Sequence, residues 1–394
     1  MVDQEGEALA AAGHEVLRFE RDSDEIEDWS RAKKASLPLR VFWNREAYRD
    51  LTVTLREQQP DVVHVHNTFP LLSAAVLHAC RDAAVPVVAT IHNRRLMCAS
   101  GDFFRDGATC HACASGPPIP AVLHGCYRGS RVATAPVALT ATAHRRAWRS
   151  LVSAYVFVSK SIRDSLAGLD LPPERVFVRH HLIPSRAIAR AAREPVVLYA
   201  GRLDEAKGVR VLMTGWDRYR DGAGDPGLRL LIAGGGVLRQ EVAEWASARP
   251  SAGFLGQVSK ERCAELMARA RAVIAPSICE ESFGLAIAEA MSAGAPSIAA
   301  GHGAFPELIT PGVDGVLVPP GDPAALAAAI ADAEAHPARY ENYGARAYTT
   351  YQQRFDPERN LGQLFGIYRF AIANPAWCGD RQLRPAVAGA TAGD

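Results

Sequence analysis

Pro276-Ser277-Ile278-Cys279-Glu280-Glu281-Ser282-Phe283-Gly284-Leu285-Ala286-Ile287-Ala288-Glu289-Ala290-Met291 follows directly on the apolar, β-like run Ala272-Val273-Ile274-Ala275. Its second half is a good helix former. The order strand, loop, helix puts Glu281 on a loop at a strand's C-terminal end and Glu289 about a turn and a half into the next helix. Phe283, Gly284 and Leu285 then form the helix N-terminus, whose free N–H groups and dipole favour a phosphate. Two carboxylates beside an anion pocket suit a nucleotide sugar, because acids accept hydrogen bonds from hydroxyls while amides hold the diphosphate. Acid pairs at this spacing also occur at ordinary helix starts, so the motif alone does not decide between these readings.

A second stretch favours the ligand site. Val196-Val197-Leu198-Tyr199-Ala200 reads as a buried strand and runs into Gly201-Arg202-Leu203-Asp204-Glu205-Ala206-Lys207-Gly208, then a helix. Gly201 lets backbone approach a ligand closely. Arg202 and Lys207 bring two cations to a strand end, and parallel sheets bind ligands outside the carboxyl ends of their strands. A solvated basic loop is the plainer alternative.

These motifs, together with Gly234-Gly235-Gly236, Phe254-Leu255-Gly256, Pro276-Ser277, Gly294-Ala295-Pro296 and Asp314-Gly315, resemble the retaining glycosyltransferases of family four. The resemblance spans nearly the whole chain. It implies an α/β fold of two Rossmann-like domains (GT-B) facing across a cleft, with a C-terminal helix crossing back to the first domain. It further implies a nucleoside diphosphate sugar on the second domain and a hydroxyl acceptor, such as a glycan or lipid-linked acceptor, on the first. Transfer of a hexose would keep the anomeric configuration. Cell-envelope or polysaccharide synthesis is the habitual setting. In this reading Gly201, Gly234, Gly235, Phe283, Gly284 and Leu285 approach the donor, Glu281 bonds sugar hydroxyls and Glu289 the ribose. Arg202 and Lys207 neutralise the departing diphosphate. Two alternatives stay open: a sugar-nucleotide epimerase of the same fold, and a non-catalytic sugar-nucleotide-binding protein.

Composition agrees with an enzyme of this kind. At 394 residues the chain is long enough for two domains, and a net charge of +1 gives no general attraction for nucleic acid. The abundance of Ala, Arg and Gly suggests a GC-rich bacterial gene. No apolar run reaches the ~20 residues needed to span a bilayer. The acidic, polar opening from Met1 to Glu7 does not read as a signal peptide. A cytoplasmic location follows, where the 8 cysteines are expected as thiols or metal ligands.

The N-terminal half alternates strand and helix: a helix ending near Gly13, then strands at 14–19, 61–66, 86–92, 154–158 and 175–178. Strands at 196–200, 228–233, 252–255, 272–275, 297–300 and 315–318 repeat the theme. Continuous apolar strands separated by helices indicate parallel sheets covered on both faces. We therefore expect domains at 1–190 and 195–355, joined by a basic, Ala-rich linker from Pro184 to Pro195. A crossover helix over 356–373 and a Pro-, Gly- and Ala-rich tail from Asn374 follow, the tail's composition suiting disorder. Family members open with a strand and a glycine-rich loop before the first helix. Residues 1–12 already read as that helix, so the first strand and loop are expected to be missing from the sequence as it stands.

Gly222-Ala223-Gly224-Asp225-Pro226-Gly227 matches G-x-G-x-x-G, but it precedes a strand and Pro226 interrupts the required helix start, so it reads as a turn. Asp22-Ser23-Asp24 lies in an acidic run and reads as a solvated loop, so no catalytic metal is expected. His92 ends a strand in Thr90-Ile91-His92-Asn93 and matches the family's histidine near the donor sugar and acceptor. His66 and Asn67 end the preceding strand, on the acceptor side.

Cys98, Cys110, Cys113 and Cys126 fall in one insert over 98–126. An Asp106-Gly107 hairpin leads into Cys110-His111-Ala112-Cys113, a frequent half of a structural zinc site. Closed zinc ligation, reduced thiols in a loop and an iron–sulfur cluster are the three readings. The basic segment Arg128 to Arg149 has Leu139, Trp148 and Leu151 available to an apolar side. It offers peripheral contact with an anionic membrane at the inner face, against a plain solvated helix face or an acceptor-phosphate site.

Overall fold

The computed structural model describes residues 2–184, 193–223 and 227–377. The first domain is built on strands β1 (Val63–Val65), β2 (Val87–Ile91), β5 (Ala154–Phe157) and β6 (Val176–Val178). They form a parallel sheet in the order β1-β2-β5-β6. A small antiparallel hairpin, β3 (Phe104–Arg105) with β4 (Ala108–Thr109), projects from it. The second domain carries β7 (Val196–Ala200), β8 (Arg229–Ala233), β9 (Ala252–Gly256), β10 (Ala272–Ala275), β11 (Ser297–Ala300) and β12 (Gly315–Val318). These run parallel in the order β12-β11-β10-β7-β8-β9. The expected strands recur here within a residue or two, with one exception.

Alternate residues of β7 and β10 enter different cores, because side chains of a strand point to opposite faces. Val197 and Tyr199, with Ala272 and Ile274, pack against the buried Trp216 and Leu212. Leu198 and Val273 pack on the other face against Met267, Ala290 and Ala295. Burial on both faces is why these strands are continuously apolar.

The exception is His14–Phe19. It follows the helix Val2–Ala11 and Gly13 but forms no strand. A stretch with strand-forming residues is only half of what a strand needs; the other half is a neighbour for its amides. No ladder among the described residues includes this segment, and Arg18 instead pairs with Asp3 of the preceding helix. The literal G-x-G-x-x-G begins inside the helix Val209–Ala223, and its residues 224–226 lie outside the described residues, as do most of the linker (185–192) and the tail from 378 onward.

The sheet order of the second domain reverses between β7 and β10, where consecutive connections leave in opposite directions and open a crevice above the strand ends. The loops on either side are sewn together. Ile278 and Cys279 donate their amides to the Ala206 carbonyl at 2.8 and 3.0 Å. Gly208 sits at φ +71°, and a Cβ there would lie 1.9 Å from the Pro276 carbonyl oxygen. Next to them Gly234, φ +147°, packs so closely that a Cβ would lie 1.9 Å from the Gly201 carbonyl oxygen. Both positions combine a left-handed backbone with backbone-to-backbone contact, which only glycine permits.

The helix Pro357–Ala373 returns to the first domain and places Ile367 and Ala371 against Val88, Ala154 and Val156. Its first turn is anchored by a buried polar group. The Arg179 guanidinium, just beyond β6, donates to Glu5 Oε2 at 2.6 Å, to Asn360 Oδ1 at 2.6 Å and to the Asn360 carbonyl at 3.2 Å. Asn360 Nδ2 donates to the His180 carbonyl at 2.9 Å. Burial acts to raise the Glu5 pKa, but the adjoining His64 ring and the Arg179 charge outweigh it and hold the carboxyl ionised. Among the described residues no helix is long and apolar enough to cross a membrane.

Two stability measurements check this account. Gly208→Ala should lower the melting temperature by about 5 °C or more, the scale of a lost special-backbone position, whereas Gly222→Ala, in a helix and with nothing within 4 Å of its Cβ, should leave it unchanged or raise it slightly. Arg179→Met should cost about 3–5 kcal/mol because it strands the Glu5 charge, and adding Glu5→Gln should restore a large part of the loss. Equal destabilisation in the single and double variants would show that packing, not charge, holds this junction.

Candidate functional site

The loops after β7 and β10 meet at the reversal of sheet order. Lys207 Nζ donates to Glu281 Oε1 at 2.6 Å, and both side chains are only partly exposed, 23% and 14%. Ser277 Oγ donates to the same oxygen at 2.6 Å. The Lys207 amide is received by Asp204 Oδ1 at 2.9 Å, so the ammonium is held at both ends of its residue. The Glu281 backbone is fixed too, since its carbonyl accepts the Ala304 amide at 3.1 Å. The pair therefore stands as a preset dipole at the crevice.

Arg202 lies on the same loop but is 66% exposed and pairs with Asp204 at 3.3 Å. Gly201 donates its amide to the Ala233 carbonyl, and Gly234 to the Gly256 carbonyl, which brings the glycine loop after β8 alongside. Gly284 caps the helix Leu285–Ser292. Phe283 is buried at its start, and Glu289 lies on its fifth residue, partly buried. The second-domain candidates thus come from three neighbouring strand ends and one helix start.

The first domain brings His66, Asn67 and His92 to one cavity of ≈ 710 Å³, open mouth included, whose other walls include Phe69, Arg95 and Trp148. His66 Nδ1 and His92 Nε2 are hydrogen-bonded at 3.0 Å. Burial is the main reason their pKa values fall, to about 2 for His66 and about 4 for His92, so both rings are neutral near pH 7. His181 stacks on His92 at 5.1 Å between ring centroids and meets Phe283 edge-on at 5.0 Å. It is buried and neutral, its pKa pushed to about 3. A row of rings therefore runs from the first-domain cavity to the helix start of the second domain.

Sequence reasoning did not single out His181, although the doublet His180-His181 closes the last strand before the linker. Nor did it single out Arg94, next to His92 and Asn93. That guanidinium is fully buried and donates to Ser165 Oγ at 3.0 Å and to the Glu280 carbonyl at 2.8 Å. Ser159 Oγ donates to the Ser282 carbonyl at 2.6 Å, and Glu307 accepts the amides of Lys160 and Ser161. These bonds join the Glu281 loop and its surroundings to the first domain. Only the strand-end position of Ser159 and Arg94 hinted at that.

The cysteine insert also reaches across. His111 Nε2 lies 3.2 Å from Glu280 Oε1. Cys98, Cys110, Cys113 and Cys126 are free thiols. Burial is the first cause raising the Cys113 and Cys126 pKa values, and the neighbouring thiols add to it. Among the described residues the set that brings three donor atoms within 4.8 Å is Glu5, His64 and His66, not the cysteines. The basic helix Arg145–Leu151 turns its apolar residues inward: Leu151 is buried and Trp148 packs on the core and lines the cavity. Arg149 pairs with Asp170 and Arg145 with the Gly168 carbonyl. That helix has no apolar face to offer a bilayer. Exposed apolar side chains occur instead at Ile119, Leu123, Val132 and Leu139.

Comparison with known proteins agrees with this architecture. Residues 194–335 match the family described as glycosyl transferases group 1, and residues 1–106 match glycosyltransferase family 4. The phosphatidyl-myo-inositol mannosyltransferase of Mycobacterium leprae is 37% identical over 176 residues, 44% of this chain and 46% of that protein. The match thus spans less than half of that relative. Glycogen synthase of Mycobacterium tuberculosis is 27% identical over 96% of this chain and 91% of its own length. Among solved structures, sucrose-phosphate synthase from Thermosynechococcus elongatus superposes with a TM-score of 0.65 at 21% identity, covering 94% of this chain and 92% of that one. Anabaena HepE, solved in complex with UDP, gives 0.61 at 19% identity, covering 81% and 80%. With both halves matched and the GT-B architecture present, the chain belongs to the group 1 glycosyltransferases of family four.

Proposed function

We propose that this protein transfers a hexose from a nucleoside diphosphate sugar to a hydroxyl acceptor with retention of anomeric configuration. The observation that carries the reading is the Lys207–Glu281 pair, 2.6 Å apart at the reversal of sheet order beside the helix start at Gly284. A diphosphate entering there exchanges its charge with Glu281 for the Lys207 ammonium, and the amides at Phe283 to Leu285 add donors without reorganisation. Glu281, released from Lys207, is free to accept sugar hydroxyls, while Glu289 serves the ribose. Arg202, exposed in the structure, reaches the phosphates only when they draw it from Asp204.

In the step proposed, the bond between the anomeric carbon and the diphosphate oxygen breaks as the acceptor oxygen bonds to the same face of that carbon. The acceptor proton passes to the leaving oxygen, and Lys207 with Arg202 stabilises its charge. Buried neutral His92 accepts or donates one hydrogen bond near the reacting hydroxyl and does not compete for the diphosphate as a cation. The cavity beside His66, Asn67 and His92 supports an acceptor and favours transfer over epimerisation, which requires none. Its Phe69 and Trp148 walls suit a glycan or lipid-linked acceptor that presents an apolar face next to the hydroxyl. UDP in Anabaena HepE and the mannosyltransferase relative support the donor class and a role in cell-envelope or polysaccharide synthesis. A cytoplasmic location, peripheral to the membrane where the acceptor is lipid-linked, fits such a role.

Incubation with donor alone separates the two enzyme readings: a transferase gives only slow hydrolysis, an epimerase gives the epimeric sugar nucleotide. Lys207→Ala and Arg202→Ala should each lower turnover by about 10²-fold or more while leaving the circular dichroism spectrum intact. Near-normal turnover in both would remove these cations from the mechanism. Glu289→Gln should weaken binding of free nucleoside diphosphate, and Glu281→Gln should reduce kcat more than donor affinity. Equal diphosphate affinity in wild type and Glu289→Gln would refute the ribose role.

A further inference from the structure

Beside the His66–His92 pair lies a second, narrow cavity of ≈ 300 Å³, open mouth included, lined by Glu5, His66, His92, Arg179 and His181 among others. Glu5 Oε2 is taken by Arg179, but Glu5 Oε1 is buried with no hydrogen-bond partner. A buried carboxylate oxygen left without a donor is costly. Two ring nitrogens face it: His64 Nδ1 at 3.3 Å and His66 Nε2 at 3.7 Å. The opposite nitrogen of each ring is already engaged. His64 Nε2 is 2.7 Å from Thr90 Oγ1, and His66 Nδ1 is 3.0 Å from His92 Nε2.

We propose that Glu5, His64 and His66 form a binding site for one divalent zinc-class ion. With the ion bound, the protons of His64 and His66 sit on Nε2 and Nδ1, held by Thr90 and His92, and the two nitrogens that face Glu5 Oε1 offer lone pairs; without it the His64 proton turns to Nδ1 and the carboxylate. Three electron-rich atoms then face one another, and a cation between them removes the repulsion. The spacing fits: bonds of about 2.1 Å set ligands about 3.4 Å apart at the edges of a tetrahedron. Two imidazoles and one carboxylate are a borderline-soft donor set suited to zinc, and hydrogen bonds from the far ring nitrogens are the usual means of orienting such ligands. Glu5 and His66 line the cavity, so a water there would complete the shell. The ion clips the helix Val2–Ala11 to β1 and fixes the ring of His66, which in turn orients His92. One hydrogen bond opposes it: the Tyr368 hydroxyl lies 2.8 Å from His64 Nδ1, on the lone pair the ion needs.

The test uses the whole chain with Cys110→Ser and Cys113→Ser added to weaken any thiolate site, stripped with chelator and titrated with Co²⁺ and then Zn²⁺. Visible absorption reads the cobalt geometry, and metal analysis after gel filtration reads stoichiometry, neither depending on glycosyl transfer. One equivalent with tetrahedral cobalt bands is expected. Glu5→Gln and His64→Asn, each checked for native circular dichroism, should weaken binding at least tenfold. Tyr368→Phe, which deletes the competing donor, should bind as tightly as wild type or tighter. The proposal fails if no equivalent binds, if a folded Glu5→Gln or His64→Asn variant binds as well as wild type, or if Tyr368→Phe abolishes binding. Binding only when Cys110 and Cys113 are intact would assign the ion to the cysteine insert and also overturn it.

Discussion

Everything at the crevice depends on backbone packed against backbone between the loops that follow β7 and β10. Sheet order reverses there, so no helix crosses the gap and the two loops support each other directly. The Ala206 carbonyl takes two amides from the opposite loop, and Gly208 lies against Pro276 with no room for a side chain. That seam brings Lys207 to Glu281. A lysine and a glutamate 74 positions apart in sequence meet at 2.6 Å because each sits a fixed number of residues beyond neighbouring strands of one sheet. The short contact is a property of the scaffold, and the side chains inherit it.

The first domain is attached to this seam by buried charge rather than by apolar packing alone. Arg94 enters from one side and holds Glu280, the residue next to Glu281. Arg179, just beyond β6, joins the first helix to the returning helix. A buried guanidinium without its acceptors costs several kcal/mol, so such junctions specify one arrangement more strongly than they stabilise it. The histidines between them stay neutral, which lets rings stack in a row without repelling each other or the arginines.

The sequence revealed the second domain more fully than the first, for physical reasons. Buried parallel strands are apolar throughout, and each is followed by the glycines and charges of a strand-end loop, so β7, β8 and β10 and the residues after them could be read from local pattern. His14–Phe19 misled because strand-forming residues such as Val16 and Phe19 encode a local preference but not a neighbour. Trp148 and Leu151 misled because apolar residues beside arginines look alike whether they face a core or a membrane; only the packing against the first domain distinguishes them. Arg94 and His181 escaped notice because their partners, Glu280 and Phe283, lie more than a hundred residues away. No window of sequence contains both members of such a pair.

The two cavities on either side of the His66–His92 bond give this wall a role beyond that of either ring. One cavity opens where an acceptor is expected, and the other is lined in part by Glu5. The hydrogen bond between the rings couples their tautomers: a proton on His66 Nδ1 makes His92 Nε2 an acceptor and leaves the proton of neutral His92 on Nδ1. Whatever occupies the space between Glu5, His64 and His66 therefore sets which nitrogen of His92 carries hydrogen. The charge that fixes this lies behind the wall, away from the crevice. The Lys207–Glu281 pair and the His92 ring are thus set by different parts of the fold, one by the seam between two loops, the other through a hydrogen bond from the rear.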